Sequence, residues 1–224
     1  MSTQRRLFLT ALRFCARLPA AGFNGVDVVH PGAAARYVPV VGALIGAVEG
    51  AVYWLGAQLW PTSIAVVLSM VATAVTTRNV RVRGFGTVGF VFALLLKYNT
   101  LMALSAASLP FAVPANVALG LIMICGHAAS RALVVSLIAT SAHTTPARVS
   151  NGDLIFALAV GFAPATLLGI PGLIGLAIAI LARVAIGAHL KHNRKVVGNG
   201  VFYATQQLTE LCFYLAALAS WPYV

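Results

Sequence analysis

The sequence predicts an all-α fold, a polytopic transmembrane helical bundle of about seven spans preceded by an N-terminal interfacial amphipathic helix. Three observations lead there. Of 224 residues, 60% are hydrophobic and 8% charged, and the mean hydropathy is +0.93, far outside the range of soluble globular chains. Apolar runs such as 37–60 and 111–142 are long enough to cross a hydrocarbon core of about 30 Å at roughly 1.5 Å per residue. Short segments alternating apolar and polar residues, the mark of a membrane barrel, are not found. The chain divides into an amphipathic helix with its loop, 1–36, and a transmembrane helical domain, 37–224.

The first helix is expected over residues 3–18. Leu7, Ala11, Phe14 and Leu18 share one stripe and Arg6, Arg13 and Arg17 another, the pattern of a helix lying in the membrane interface. Arg13 and Arg17 break what would be the uncharged core of a cleaved leader. Gly22, Gly25, Pro31 and Gly32 mark residues 19–36 as a loop. A first span over 37–59 carries Gly42, Gly46 and Gly50 at four-residue steps, a face that another helix can approach closely. Glu49 sits beside that face; an intramembrane carboxylate is a functional candidate, with a hydrogen-bonded structural role the favoured reading. Trp60-Pro61 marks the far interface, and 62–77 returns as a short second span.

A basic stretch follows, Thr76 to Gly86, where Arg78, Arg81 and Arg83 interrupt the apolar sequence. The third span, 86–108, contains Lys97 and Asn99, both expected to face the bundle interior because lipid would be a costly environment. Pro110 and Pro114 bracket the next turn. In the fourth span, 115–141, His127 and Arg131 are one helical turn apart and project from one face; a packing patch and an anion site are both open readings. A fifth span, 153–169, a Pro171-Gly172 turn, a sixth span to 189, and a second basic run, Lys191-His192-Asn193-Arg194-Lys195, come next. The last span, 201–223, carries Gln206, Gln207, Thr209 and Glu210 in its first turns, near the surface bearing that basic run.

Fifteen Lys and Arg stand against four acids, Asp27, Glu49, Asp153 and Glu210. In a membrane protein this excess reads as basic cytoplasmic loops, without implying nucleic acid, or as recognition of a phosphorylated substrate. The turns at Pro61, Pro110 and Pro171 carry no Lys or Arg. The positive-inside rule therefore puts the N-terminus and the basic loops in the cytoplasm, and the chain in the inner membrane. Cys15, Cys125 and Cys212 have no ligand spacing, so neither a disulfide frame nor a zinc site is suggested.

Several segments in series carry a resemblance: Arg13-Phe14-x-x-Arg17-Leu18-Pro19, the run from Tyr37 to Gly46, Gly84-Phe85-Gly86, Gly126-His127-Ala128-Ala129-Ser130-Arg131-Ala132, Ser150-Asn151-Gly152-Asp153-Leu154 and Ala204 to Leu211. Together they resemble cobalamin synthase, the adenosylcobinamide-GDP ribazoletransferase family, over most of the chain. The resemblance implies a magnesium-dependent membrane enzyme that joins α-ribazole, or its 5′-phosphate, to adenosylcobinamide-GDP with release of GMP.

Where the family carries an acidic Asp-Gly-Leu-Ala-Asp-x-x-Asp loop, this chain runs directly from Thr77-Arg78 to Asn79 and Arg81. Asn79 stands for an Asp, Arg83 for a Gly, and the stretch before the last span has no Asp. Magnesium prefers oxygen ligands including one or two carboxylates, so its ligands are not identifiable from this sequence. Three explanations stand open: a relative that has kept the bundle without the chemistry, binding of a related anion in another role, or further acidic cytoplasmic loops in the natural protein. The clustering of departures at loops favours the last, and an intact mass above 23.3 kDa would support it.

By resemblance, Arg81 would clamp a phosphate, with Arg78 beside it, and Gln206 and Glu210 would orient substrate or a metal-bound water. Lys97, His127 and Arg131 are substrate-binding candidates from their placement, and Asn199 from its position near a lost acid. Alternatives to the enzyme are a scaffold or binding subunit that has lost the metal site, and a transporter. Small-residue faces permit self-association or contact with other cobamide-assembly proteins.

Overall fold

The computed structural model describes residues 3–16, 31–77, 86–106, 115–141, 148–193 and 199–221. Helix α1 (Thr3–Cys15) is followed by a short α2 (Pro31–Ala34), which passes through a 3-10 turn, Ala35–Tyr37, into α3 (Val38–Leu59). Then come α4 (Thr62–Thr76), α5 (Gly86–Ser105), α6 (Ala115–Thr140), α7 (Asn151–Thr166), α8 (Gly169–His192) and α9 (Asn199–Ser220). Each expected span is met by a helix whose ends differ by only a few residues.

Local chemistry accounts for those ends. Pro61 has an extended backbone and starts α4 after the turn at Trp60. Gly86 and Gly169 hold positive φ angles of 70° and 64°, the left-handed region that a side chain disfavours, where α5 begins and where α7 gives way to α8. Ser150 caps α7 by accepting a hydrogen bond from the Asp153 amide at 3.1 Å. Asp153 also pairs with Arg36, tying the entry of α3 to the start of α7.

Among the described residues, four segments are long and apolar enough to cross a membrane: Gly32–Leu59, Val88–Ser105, Val117–Thr140 and Gly169–His192. Helix α4 is apolar but has only 15 residues, a rise of about 22 Å. The apolar side chains of α5 and α8 that point outward, among them Phe92, Leu95, Ile178 and Leu181, are exposed in the isolated chain. A bundle that turns such faces outward is solvated by lipid. The chain is a helical membrane protein.

Helix α6 is the axis on which the others pack. Leu119, Ile122, Met123 and Leu133 are buried in the largest core cluster with Leu101 of α5 and Phe213 and Tyr214 of α9. The glycine face of α3 lies against α6: a Cβ at Gly46 would come within 2.7 Å of the Ile124 Cα, and one at Gly50 within 2.8 Å of the Gly120 Cα. Two backbones can come this close only where at least one of them lacks a side chain at the crossing.

Four expectations need correction. The turn expected at Pro171-Gly172 falls earlier, at Leu167-Leu168, and Pro171 and Gly172 lie in the first turn of α8. The stripe that α1 buries consists of Leu7, Leu9, Ala11 and Cys15, while Phe14 is 48% exposed; Leu18 and Arg17 lie outside the described residues. Ala11 and Cys15 of that face pack in a cluster with Ala35, Val38, Val41 and Ile45, so α1 is docked on the bundle. Residues 31–36, expected as loop, are helical because Pro31 can open a helix that runs on toward α3. Asn99 does not join Lys97 in the interior: it is exposed and donates to the Leu95 carbonyl at 2.8 Å. Residues two apart on a helix face nearly opposite ways.

Candidate functional site

Halfway along four helices, four ionisable side chains meet: Glu49 of α3, Lys97 of α5, His127 of α6 and Glu210 of α9. The close α3–α6 crossing brings Glu49 to His127, whose Nε2 contacts Glu49 Oε2. The Lys97 ammonium bridges the carboxylates, 2.7 Å from Glu210 Oε1 and 3.0 Å from Glu49 Oε1. On the other side of the imidazole, Nδ1 is 3.1 Å from Glu210 Oε2. Tyr214, one turn beyond Glu210, closes the cluster with its ring 5.7 Å from the Lys97 nitrogen.

Arg131 follows His127 by one turn, with Nη1 donating to the His127 carbonyl at 3.3 Å and lying 3.0 Å from His127 Nδ1. It is 2% exposed, yet its Nε and Nη2 have no hydrogen-bond partner. The two buried carboxylates thus share the Lys97 ammonium and the His127 imidazole, and Arg131 reaches them only through His127. This is the arrangement that makes ionised groups tolerable in a low-dielectric interior.

Beside the cluster, Arg131 also lines a cavity formed with the end of α1, at Phe14 and Cys15, and the first turns of α9, at Phe202 and Gln206. Burial pushes the Cys15 thiol up to about 11 against the opposing pull of the Arg131 charge. Ala16 forms a bridge with Thr77, the residue before Arg78, so α4 ends against the end of α1.

The structure therefore brings together Lys97, His127, Arg131, Gln206 and Glu210 from among the candidates. Glu210 does not sit at the surface with the basic run: it is 1% exposed and turned into the bundle centre, while Gln206, one turn earlier, faces the cavity. Arg78 and Arg81 lie outside the described residues, and Asn199 is placed only as the first residue of α9. Sequence reading missed Tyr214 as a member of the cluster. The one available hint was its spacing of four from Glu210, which places both on one helix face.

Glu49, His127 and Glu210 could hold a metal ion by proximity, since one ligand atom of each lies within 4.8 Å of the others. Magnesium does not fit them. Lys97 already bridges the two carboxylates, imidazole is a poor ligand for this hard cation, and the buried site has no access for the waters magnesium retains.

Comparison with known proteins matches residues 7–85 to a family described as Cobalamin-5-phosphate synthase. The adenosylcobinamide-GDP ribazoletransferase of Leptothrix cholodnii is 32% identical, covering 96% of this chain and 96% of the relative. Proteins of the same name from Shewanella amazonensis and Shewanella frigidimarina are 29% and 27% identical, with at least 95% of each partner covered. The Leptothrix alignment extends over 260 positions against 224 residues in the whole chain, so the relative has stretches without counterpart here. No solved structure matches the chain.

Proposed function

The chain belongs to the cobalamin-5-phosphate synthase family, and from that premise we infer that it is an adenosylcobinamide-GDP ribazoletransferase acting late in cobalamin biosynthesis. The observation that carries this reading is the relationship to the Leptothrix transferase along nearly the full length of both chains. The reaction joins α-ribazole, or its 5′-phosphate, to adenosylcobinamide-GDP. A ribose hydroxyl oxygen attacks the cobinamide-side phosphorus, the bridging P–O bond breaks, GMP leaves with the electron pair, and the hydroxyl proton is lost. Such a transfer needs little covalent help from protein; it needs alignment of the two oxygens and cations around the phosphate.

In this reading Arg78 and Arg81 extend the phosphate site from the basic stretch, and Asn199 stands at the mouth of α9. Gln206 orients substrate at the cavity, while Lys97, His127 and Glu210 hold the interior of the site in one geometry. The buried carboxylates are already taken by Lys97, so magnesium would have to be held outside this cluster, where it would supply positive charge to the phosphates. The topology has seven spans, α3 to α9, in the inner membrane with the basic loops in the cytoplasm. There the site is open to soluble phosphorylated substrates and to other cobamide-assembly proteins, or to a second copy of the chain.

A second reading, a binding relative without turnover, is favoured by the neutralised carboxylates and by the shortness of the chain against its relatives. The experiment is GMP release from adenosylcobinamide-GDP and α-ribazole, with and without magnesium, by purified protein in liposomes. Magnesium-dependent release supports the transferase. Substrate binding without release would replace it with the second reading.

A further inference from the structure

We infer that the unpaired edge of Arg131 is a bidentate oxyanion site, and that it receives two oxygens of a substrate phosphate in the cavity between the end of α1 and the first turns of α9. The inference rests on the reading above and names which group of the chain takes the phosphate.

A guanidinium presents three edges, and the Nε–H and Nη2–H donors lie parallel on one of them. Those are the two nitrogens of Arg131 that have no partner, whereas Nη1 is engaged by His127. Leaving two donors of a buried cation unsatisfied is costly. The nearest acids do not relieve it: Glu49 and Glu210 pair with Lys97 and His127 and form no ion pair with Arg131, even though one oxygen of each accepts no hydrogen bond. The contact with His127 fixes the plane of the fork, so it is oriented before a ligand arrives.

Arg131 lines the cavity from which a ligand would approach, although its Nε and Nη2 are themselves buried. Arg131 and Gln206 line it together, and Gln206 adds an amide donor beside the guanidinium. Its volume of about 30 Å³ takes two or three oxygen-sized groups, given roughly 10–15 Å³ for each water-sized occupant. Phosphoryl oxygens fit such a space and a nucleoside does not, so the rest of the ligand must lie toward the open side, where Phe14 is half exposed. A planar two-donor fork also suits a phosphate better than a halide, which would use one point of contact.

Two phosphates of the reaction have this chemistry, the 5′-phosphate of the acceptor and the diphosphate of adenosylcobinamide-GDP. Arg131→Lys keeps the charge and loses the fork, and Gln206→Ala removes the neighbouring amide without touching the buried cluster. The first measurement is the thermal shift produced by inorganic pyrophosphate on the wild-type chain and both variants in detergent. Stabilisation of the wild type that falls about tenfold in apparent affinity in Arg131→Lys supports the site.

The second is KM for each substrate with α-ribazole or α-ribazole 5′-phosphate as acceptor. A rise of about tenfold confined to the phosphorylated acceptor assigns the site to its 5′-phosphate; a rise for adenosylcobinamide-GDP with either acceptor assigns it to the diphosphate. Pyrophosphate stabilisation and KM values unchanged in both variants would overturn the inference while the transferase stands. Arg131-dependent pyrophosphate binding in a chain that releases no GMP would keep the site and remove the transferase.

Discussion

Replacing Lys97 by Met tests whether the buried cluster is held by its central cation. The ammonium lies 2.7 Å from one carboxylate and 3.0 Å from the other, and neither acid is more than 1% exposed. At an effective dielectric of about 20 the gross attraction is roughly 6 kcal/mol to each. Most of it is offset by the cost of removing three charges from water. What the substitution exposes is the uncompensated remainder, about 3–5 kcal/mol when one partner of a buried pair is deleted. For a chain of this length that corresponds to a fall of about 6–20 °C in apparent melting temperature.

Met matches the length of the Lys stem, so packing against Tyr214 is largely kept and the loss reports charge. Lys97→Met combined with Glu210→Gln removes a negative charge along with the positive one and should recover about 1–3 kcal/mol. The assay is a double-mutant cycle in detergent, followed by tryptophan fluorescence on heating. Additive losses, or a fall of less than about 2 °C in Lys97→Met, would refute the account of a charge-balanced cluster.

Gly46→Ala should destabilise by about 1–3 kcal/mol, since its Cβ would meet the Ile124 backbone at 2.7 Å, and melting in detergent measures it. Gly152→Ala, whose Cβ would come no closer than 4.0 Å to the Ser150 hydroxyl, is the milder comparison. Adding EDTA to substrate-free protein should leave the melting temperature unchanged, because Lys97 stands between the acids; a fall of several degrees would reveal a resident ion. Cys15 should resist maleimide at pH 8 in the folded protein: with its thiol raised to about 11, roughly one molecule in a thousand is thiolate there, and the sulfur is buried. Its labelling should rise as pH approaches 11, and rapid modification at pH 8 would contradict the docking of α1. Ser150→Ala should cost about 1 kcal/mol through loss of the α7 cap, read by the same melting assay.

Much of the fold was legible because the residues that end helices act locally. Pro61, Gly86 and Gly169 stop or start helices through backbone geometry that owes nothing to the rest of the chain. The glycines of α3 announced a close helix neighbour, but not which one; α6 is chosen by Gly120 and by the main chain at Ile124. Lys97, His127 and Glu210 were each conspicuous as polar groups among apolar ones, and Glu49 was recognised on the same ground. Their meeting was not legible, since it depends on how four helices cross, and Glu210 was accordingly placed too near the surface. Asn99 was drawn inward by proximity in sequence to Lys97, where helical rotation sends it outward. The unpaired edge of Arg131 could not be read at all, because burial without a partner is a property of the packed chain.

The meeting of Glu49, Lys97, His127 and Glu210 at mid-height has a consequence for how the protein is made. Synthesis delivers α3, α5, α6 and α9 in that order, and an ionised side chain at the centre of an isolated helix costs about 2.5–3.5 kcal/mol to insert. Glu49 must therefore wait for Lys97, and the ammonium reaches its nearest acid only when Glu210 arrives with the last helix. A nascent chain that stops before α9 carries a half-matched charge in its core. The final helix is thus the one that commits the earlier ones to the bilayer, and truncations within it should be cleared by quality control, although every other helix is intact.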